Sequence, residues 1–212
     1  MASTAISAQG SVVSIGTGAG SAKTITAIAL GNPTILTAAS HGFVNGDVVT
    51  IAGLTGANAA TINGQTWSVR NITTNTFALY VDSTGLTITA AGTATPVTFA
   101  AIVNCKSFSG FDGSASEIDV TNLDSTAKEF RLGLVDSGNL TLELDYKSTE
   151  TSHIALRTKQ VSGVLTNFKL VLPDATSITF NAFVKKFSLS GGVDEVAKAS
   201  VDLRITGAVT GL

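Results

Sequence analysis

FSGFDGSASEIDVTNLDSTAKEFRLGLVDSGNLTLELDY, residues 108–146, decides the fold class. In Glu117–Thr121, Ile118 and Val120 point one way while Glu117, Asp119 and Thr121 point the other. Leu140, Leu142, Leu144 and Tyr146 likewise oppose Thr141, Glu143 and Asp145. A period of two with one oily and one acidic face predicts two half-buried strands, each wet on one side. Between them, the polar run from Asn122 to Arg131 predicts a long connection.

The rest of the chain has the same character. Hydrophobic residues make up 44% of the 212 but aromatics only 6%, so the apolar content is mainly Ala, Val, Ile and Leu among many Thr, Ser and Gly. That mixture favours strands and turns, and the length suffices for one large β domain or two small ones. Further strands are expected at Gln9–Ile15, Val97–Phe108, Val164–Leu172, Ser177–Ser190 and Glu195–Val209. Phe180 and Phe183 break the alternation of Ser177–Ser190, which predicts a bulge. One helix is expected over Ser148–Val161, with Thr151 or Ser152 as its cap and Gly163 as its stop. Its apolar face would comprise Ile154, Leu156 or Arg157, and Val161, with His153 solvated near its start.

Charge divides the chain near Pro96. Residues 1–96 hold only Lys23, Asp47, Arg70 and Asp82 of the 28 charged side chains. Within 24–96, short strands are expected at Thr24–Leu30, Thr34–Ala38, Asp47–Ile51, Gln65–Asn71 and Thr76–Val81, punctuated by Gly31-Asn32-Pro33, Asn45-Gly46 and Asn63-Gly64. Residues 24–96 therefore read as a small all-β domain inserted into a larger one made of residues 1–23 and 97–212, and the ends of the insertion should lie side by side. Trp67 is expected to anchor its core and His41 to serve a turn.

Chemistry is scarce. There is no phosphate loop, no HExxH and no cysteine pair, and no plausible nucleophile, base and orienter set forms around the two histidines. Glu143 and Asp145 are the one conceivable carboxylate pair, with nothing beside them to raise a pKa. Cys105 lies in an apolar run and reads as a small buried hydrophobe. The sequence thus points away from an enzyme and implies no metal and no cofactor. A net charge of −2 offers no basic field for gripping nucleic acid. No stretch reaches the ~20 apolar residues of a membrane span, and the first residues lack the pattern of a signal peptide, so folding in a reducing cytoplasm is expected. The last predicted strand, about 15 residues or roughly 50 Å, is long enough for a barrel wall or a sheet shared between subunits.

Taken in order, these pieces resemble the major tail tube proteins of long-tailed bacteriophages. SEIDVTNLDSTAKEF is similar to the family's acidic strand entering a long loop. RLGLVDSGNLTLELDY is similar to its Gly-Leu-x-Asp-x-Gly turn and alternating strand, and the helix, VLPDATSITFNAFV and a long last strand ending RITGAVTG follow in the family's order. ITAIALGNPTILTAASHGFVNGDVVTIAGL and INGQTWSVRNITTNTFALY resemble the small β domain named after a half-domain of ubiquitin-activating enzymes, which recurs in phage structural proteins.

The resemblance implies a mainly β, sandwich- or barrel-forming tail tube domain with one flanking helix, plus the inserted small all-β domain. It also implies a structural virion protein, made in the host cytoplasm and placed in the tail. Homo-hexameric rings would stack into a tube, meet the tape-measure, terminator and distal tail proteins, and pass DNA without binding it specifically; no membrane is involved. Glu117, Asp119, Thr121, Thr141, Glu143 and Asp145 become candidate lumen-facing groups, an acidic wall over which phosphate would slide. Asn122, Leu123, Asp124, Ser125, Thr126, Ala127, Lys128, Glu129, Phe130 and Arg131 become a candidate inter-ring loop, flexible until assembly. Two other readings share the β character: a β-sandwich module binding carbohydrate or a receptor, and a head–tail connector or decoration protein of a virion.

Overall fold

A computed structural model describes residue 5 and residues 7–211 of the chain. The protein is mainly β. Its elements are β1 (Val12–Ala19), β2 (Lys23–Ile25), β3 (Ala27–Ala29), β4 (Thr34–Thr37), β5 (Val48–Ala52), β6 (Thr66–Arg70), β7 (Thr76–Leu79), β8 (Gly92–Ala101), β9 (Cys105–Gly110), β10 (Ser114–Asp119), β11 (Phe130–Asp136), β12 (Asn139–Asp145), α1 (Thr151–Ser162), β13 (Thr166–Val171), β14 (Ser177–Ser190) and β15 (Lys198–Thr210). Hydrogen bonds link them in the order β3-β4-β7-β6-β5-β8-β1-β13-β14-β15-β12-β9, with β2 on β8. Among the described strands, β10 and β11 alone stand outside this sheet, paired with each other.

Two apolar clusters line the sheet. One gathers Val13 and Ile15 of β1, Leu140, Leu142 and Leu144 of β12, Leu156 of α1, Phe168 of β13 and the inward side chains of β14 and β15. The other holds Ile25, Leu36, Val49, Ile51, Ile62, Phe77, Leu79 and Ala94. Strand β8 runs from the second cluster to the first. Lys23 pairs with Ala94 and Ala19 with Val97, so the chain enters and leaves the region of the second cluster side by side. Pro96, which has no N–H to give, stands where β8 changes partner from β2 to β1, and its carbonyl accepts from Gly20 N at 2.7 Å.

Several expectations need correction. The run Val97–Phe108 is two strands, because Asn104 adopts φ 58° in a turn that its apolar neighbours conceal. The first strand begins at Val12, after a turn in which Ser11 N donates to Ala8 O. In β14 the expected irregularity is present, the register slipping between Thr179 and Asn181 and again between Val184 and Lys186. The extra residue changes the parity of the strand, so that Val184 and then Phe187 both reach the core while Phe183 faces outward. Trp67 is only partly buried and donates Nε1–H to Ile62 O at 3.2 Å. His41 is buried against Phe43 and Phe77. Its Nδ1 accepts from Phe43 N, which leaves the proton on Nε2 for Thr76 O, and a structural role follows.

The helix is rotated from its expected register. Ser152, His153 and Leu156 are its buried residues, while Ile154 is half exposed and Val161 is 87% exposed. Burying His153 requires partners for both ring nitrogens. Nδ1 lies 3.1 Å from Lys147 N and Nε2 lies 3.0 Å from Val103 O, with the ring stacked on Tyr146. Those fixed backbone groups set the rotation, so His153 is a buried strut and not a solvated residue. The helix starts after Glu150, with no side-chain cap from Thr151 or Ser152, and ends as expected at Gly163 with φ 62°. Since Leu156 is its one fully buried large apolar side chain, Leu156→Ala is expected to cost about 2–5 kcal/mol, read as a lower midpoint in urea unfolding.

Candidate assembly interface

β10 and β11 form a ribbon with solvent on both sides. Opposite residues of an antiparallel pair share a face, and the register sets Glu117 opposite Leu132, Asp119 opposite Phe130, and Ile118 opposite Arg131. The acidic side of β10 is therefore shared with Leu132 and Phe130, and the oily side with Arg131. This corrects the half-buried strand read from residues 117–121: Ile118 and Val120 cover no core of their own chain. Leu132 is 74% exposed, Leu134 92% and Leu123, at the tip, fully exposed. A run of apolar side chains so placed is uncommon on the surface of a monomer.

The connection is shorter than expected, because Phe130 and Arg131 belong to β11. It is also tied by its own hydrogen bonds. Val120 N donates to Glu129 O, Glu129 N to Thr121 Oγ1 at 3.0 Å, and Asp124 N to Asn122 Oδ1 at 2.8 Å. Asp119 accepts from Thr121 N at 2.9 Å, and the Thr121 contacts hold its carboxyl below the usual value.

Residues outside the candidate site residues fix the root of the ribbon. Asp112 accepts from Asn139 N at 2.8 Å, Ser137 Oγ donates to Gly207 O at 2.7 Å, and Asp136 accepts from Gly138 N and from Arg204. The Gly138 N–H first, then Arg204, lowers the Asp136 pKa. In the sequence, Asp136 is the Asp of the Gly-Leu-x-Asp-x-Gly turn, and for Asp112 the hint is the adjoining Gly113. At the root Gly110 has φ +146°, and a Cβ there would lie 2.2 Å from Asn139 O. Gly110→Ala is therefore expected to lose stability by about 1–3 kcal/mol and to loosen the ribbon, read as faster amide exchange in residues 114–136.

A second surface is the polar face of the sheet around β12. Thr141, Glu143 and Asp145 lie together there, and their alternation with buried Leu140, Leu142 and Leu144 is as expected. Thr141 Oγ1 donates to Asp202 at 3.0 Å, Ser200 Oγ donates to Glu143 at 2.6 Å, and Lys106 Nζ lies 3.0 Å from Asp145. Lys198 stands opposite Asp145, Arg204 opposite Asn139, and Lys186 of β14 opposite Asp202. The face is thus a mosaic of Glu143, Asp145 and Asp202 with Lys106, Lys186, Lys198 and Arg204, where the pattern of β12 alone predicts an acidic wall. Glu117, Asp119 and Thr121 are not on it; they belong to the ribbon.

Cys105 is half-buried, its Sγ directed at Ser107 O, and burial pushes the thiol's pKa up. Among the described residues, no group of three or more His, Cys, Asp or Glu could hold a metal ion.

Residues 71–175, which carry β7 to β13 and the whole ribbon, match the family described as phage tail tube, TTP, lambda-like. This is a structural tail tube protein. Its place is the tail of a virion. Two solved structures are similar to it, each at 17% identity and a TM-score of 0.47. The tail of an empty gene transfer agent particle, refined helically with C6 symmetry, covers 54% of this chain and 86% of its own. The virion of a native gene transfer agent particle covers 54% of this chain and 88% of its own. No curated protein matches the chain. The matched segment carries the ribbon, β12 and α1, whereas β14 and β15 of the second surface follow it.

Proposed function

We propose that the tail tube protein assembles into hexameric rings that stack into a hollow tube, with the β10–β11 ribbon as the joint between rings and the polar face of β9, β12, β15 and β14 as the wall of the DNA conduit. The exposed apolar side chains of the ribbon carry this reading, since Leu123, Leu132 and Leu134 need a cover that their own chain does not supply. Edge strand β9, paired on one side only by β12, offers backbone groups through which neighbouring sheets can join around a ring and close the edge. Thr141, Glu143 and Asp145 face the lumen, and Glu117, Asp119 and Thr121 go with the joint. The mosaic of opposite charges gives passing phosphates no continuous basic track to bind. The protein does no catalysis in this role.

Residues 24–96 form an inserted small β domain of the ubiquitin-activating half-domain type, displayed on the outside of the tube. Their own apolar cluster and the adjacency of Lys23 and Ala94 support that division. Tape-measure, terminator and distal tail proteins would meet the two ends of the tube. Sedimentation of the purified protein tests ring formation: six-subunit species and larger polymers are expected, and a monomer at every concentration contradicts the reading.

A further inference from the structure

A groove of about 500 Å³ opens beside the exposed side of α1, lined by Tyr146, Ile154, Arg157, Thr158 and Val161 among others. Its walls are apolar because the helix turns Ile154 and Val161 away from the core. Arg157 donates Nη1–H to Tyr146 Oη at 3.1 Å and has no carboxylate partner among the described residues. The exposed guanidinium stands at the rim of this groove without an acid of its own, and its planar fork suits a carboxylate brought by another molecule. The ribbon carries the complement. Residues 114–136 hold Glu117, Asp119, Asp124, Glu129 and Asp136 against Lys128 and Arg131, and at the tip Asp124, which makes no ion pair, follows the fully exposed Leu123.

The positions of the two features matter as much as their chemistry. The ribbon is rooted at the Asn139 end of β12, whereas the groove begins at Tyr146, just past the other end. Seven residues of strand separate them, about 20 Å at ~3.3 Å per residue. A contact between two different patches, rooted at opposite ends of β12, is heterologous, and such a contact propagates along an axis instead of closing a pair. We infer that the α1 groove receives the ribbon tip of a second copy of this chain, with Leu123 between Ile154 and Val161 and Asp124 on Arg157. The inference rests on the tube reading, and assigns both halves of its ring-to-ring joint.

The test uses the full chain. With Cys105→Ser as background, Leu123→Cys combined with Val161→Cys is expected to form disulfide-linked ladders of many copies on oxidation of assembled tubes. Arg157→Glu and Asp124→Arg are each expected to abolish tubes while circular dichroism stays unchanged, and the two together to restore them. Tubes of ordinary length from Arg157→Glu, or tubes without a ladder, would overturn the docking and leave the tube reading intact. A parent chain that never assembles would defeat both.

Discussion

Excision of residues 113–135, with Asp112 joined to Asp136 through a short glycine turn, is expected to yield a folded protein that no longer forms tubes. The ribbon pairs only with itself and contributes none of the buried side chains of either core. The folded chain therefore loses little, and its thermal midpoint should fall by a few degrees at most. Assembly loses nearly everything, because the exposed leucines are what a second ring would cover. A milder form of the same test is Leu132→Ser with Leu134→Ser. Exposed positions such as these change monomer stability by about 0.5 kcal/mol or less, whereas each leucine covered in an interface contributes about 1.5–3 kcal/mol. Electron microscopy of the two variants beside the parent reads the outcome, and tubes of normal length from the excision variant would rule the ribbon out as the joint.

The second large effect is expected from Glu143→Lys combined with Asp145→Lys. In the parent, the face holds these two acids and Asp202 among four cations. The reversals leave Asp202 as its only acid beside six cations, repeated in every subunit around the pore. Stability should fall modestly, since the Lys106–Asp145 pair joins an exposed lysine to a partly buried aspartate, where a lysine would meet like charge. A continuous basic track, by contrast, binds phosphate through release of counterions, with a steep dependence on salt. Particles built with the variant should form tails of normal length yet release DNA more slowly, with the delay shrinking as ionic strength rises. Unchanged release at low salt would remove this face from the lumen.

Much of the fold was legible because the strands of the main sheet obey a period of two. Leu140, Leu142 and Leu144 announce β12, and Ser177–Ser190 is a single strand as expected. The failures share a cause. Alternation reports that one side of a strand avoids water, not which molecule covers it, and so β10 read as half-buried in its own chain while Ile118 stands in solvent. An acidic face read from β12 alone omits Lys106, Lys198 and Lys186, which lie far away in sequence and arrive only through pairing. His153 shows the limit in the helix. Apolar spacing favoured Ile154 and Val161 as the inner face, but backbone groups of Val103 and Lys147, unseen in any local pattern, drew the histidine inward and left a groove outside.

The most direct test of the tube itself is a helical reconstruction, by electron microscopy, of tubes grown from the purified protein. We expect six subunits per ring, Thr141, Glu143 and Asp145 on the pore wall, and each ribbon buried against the adjacent ring. A map with the β12 face turned outward, or with ribbons free in solvent between rings, would contradict the account.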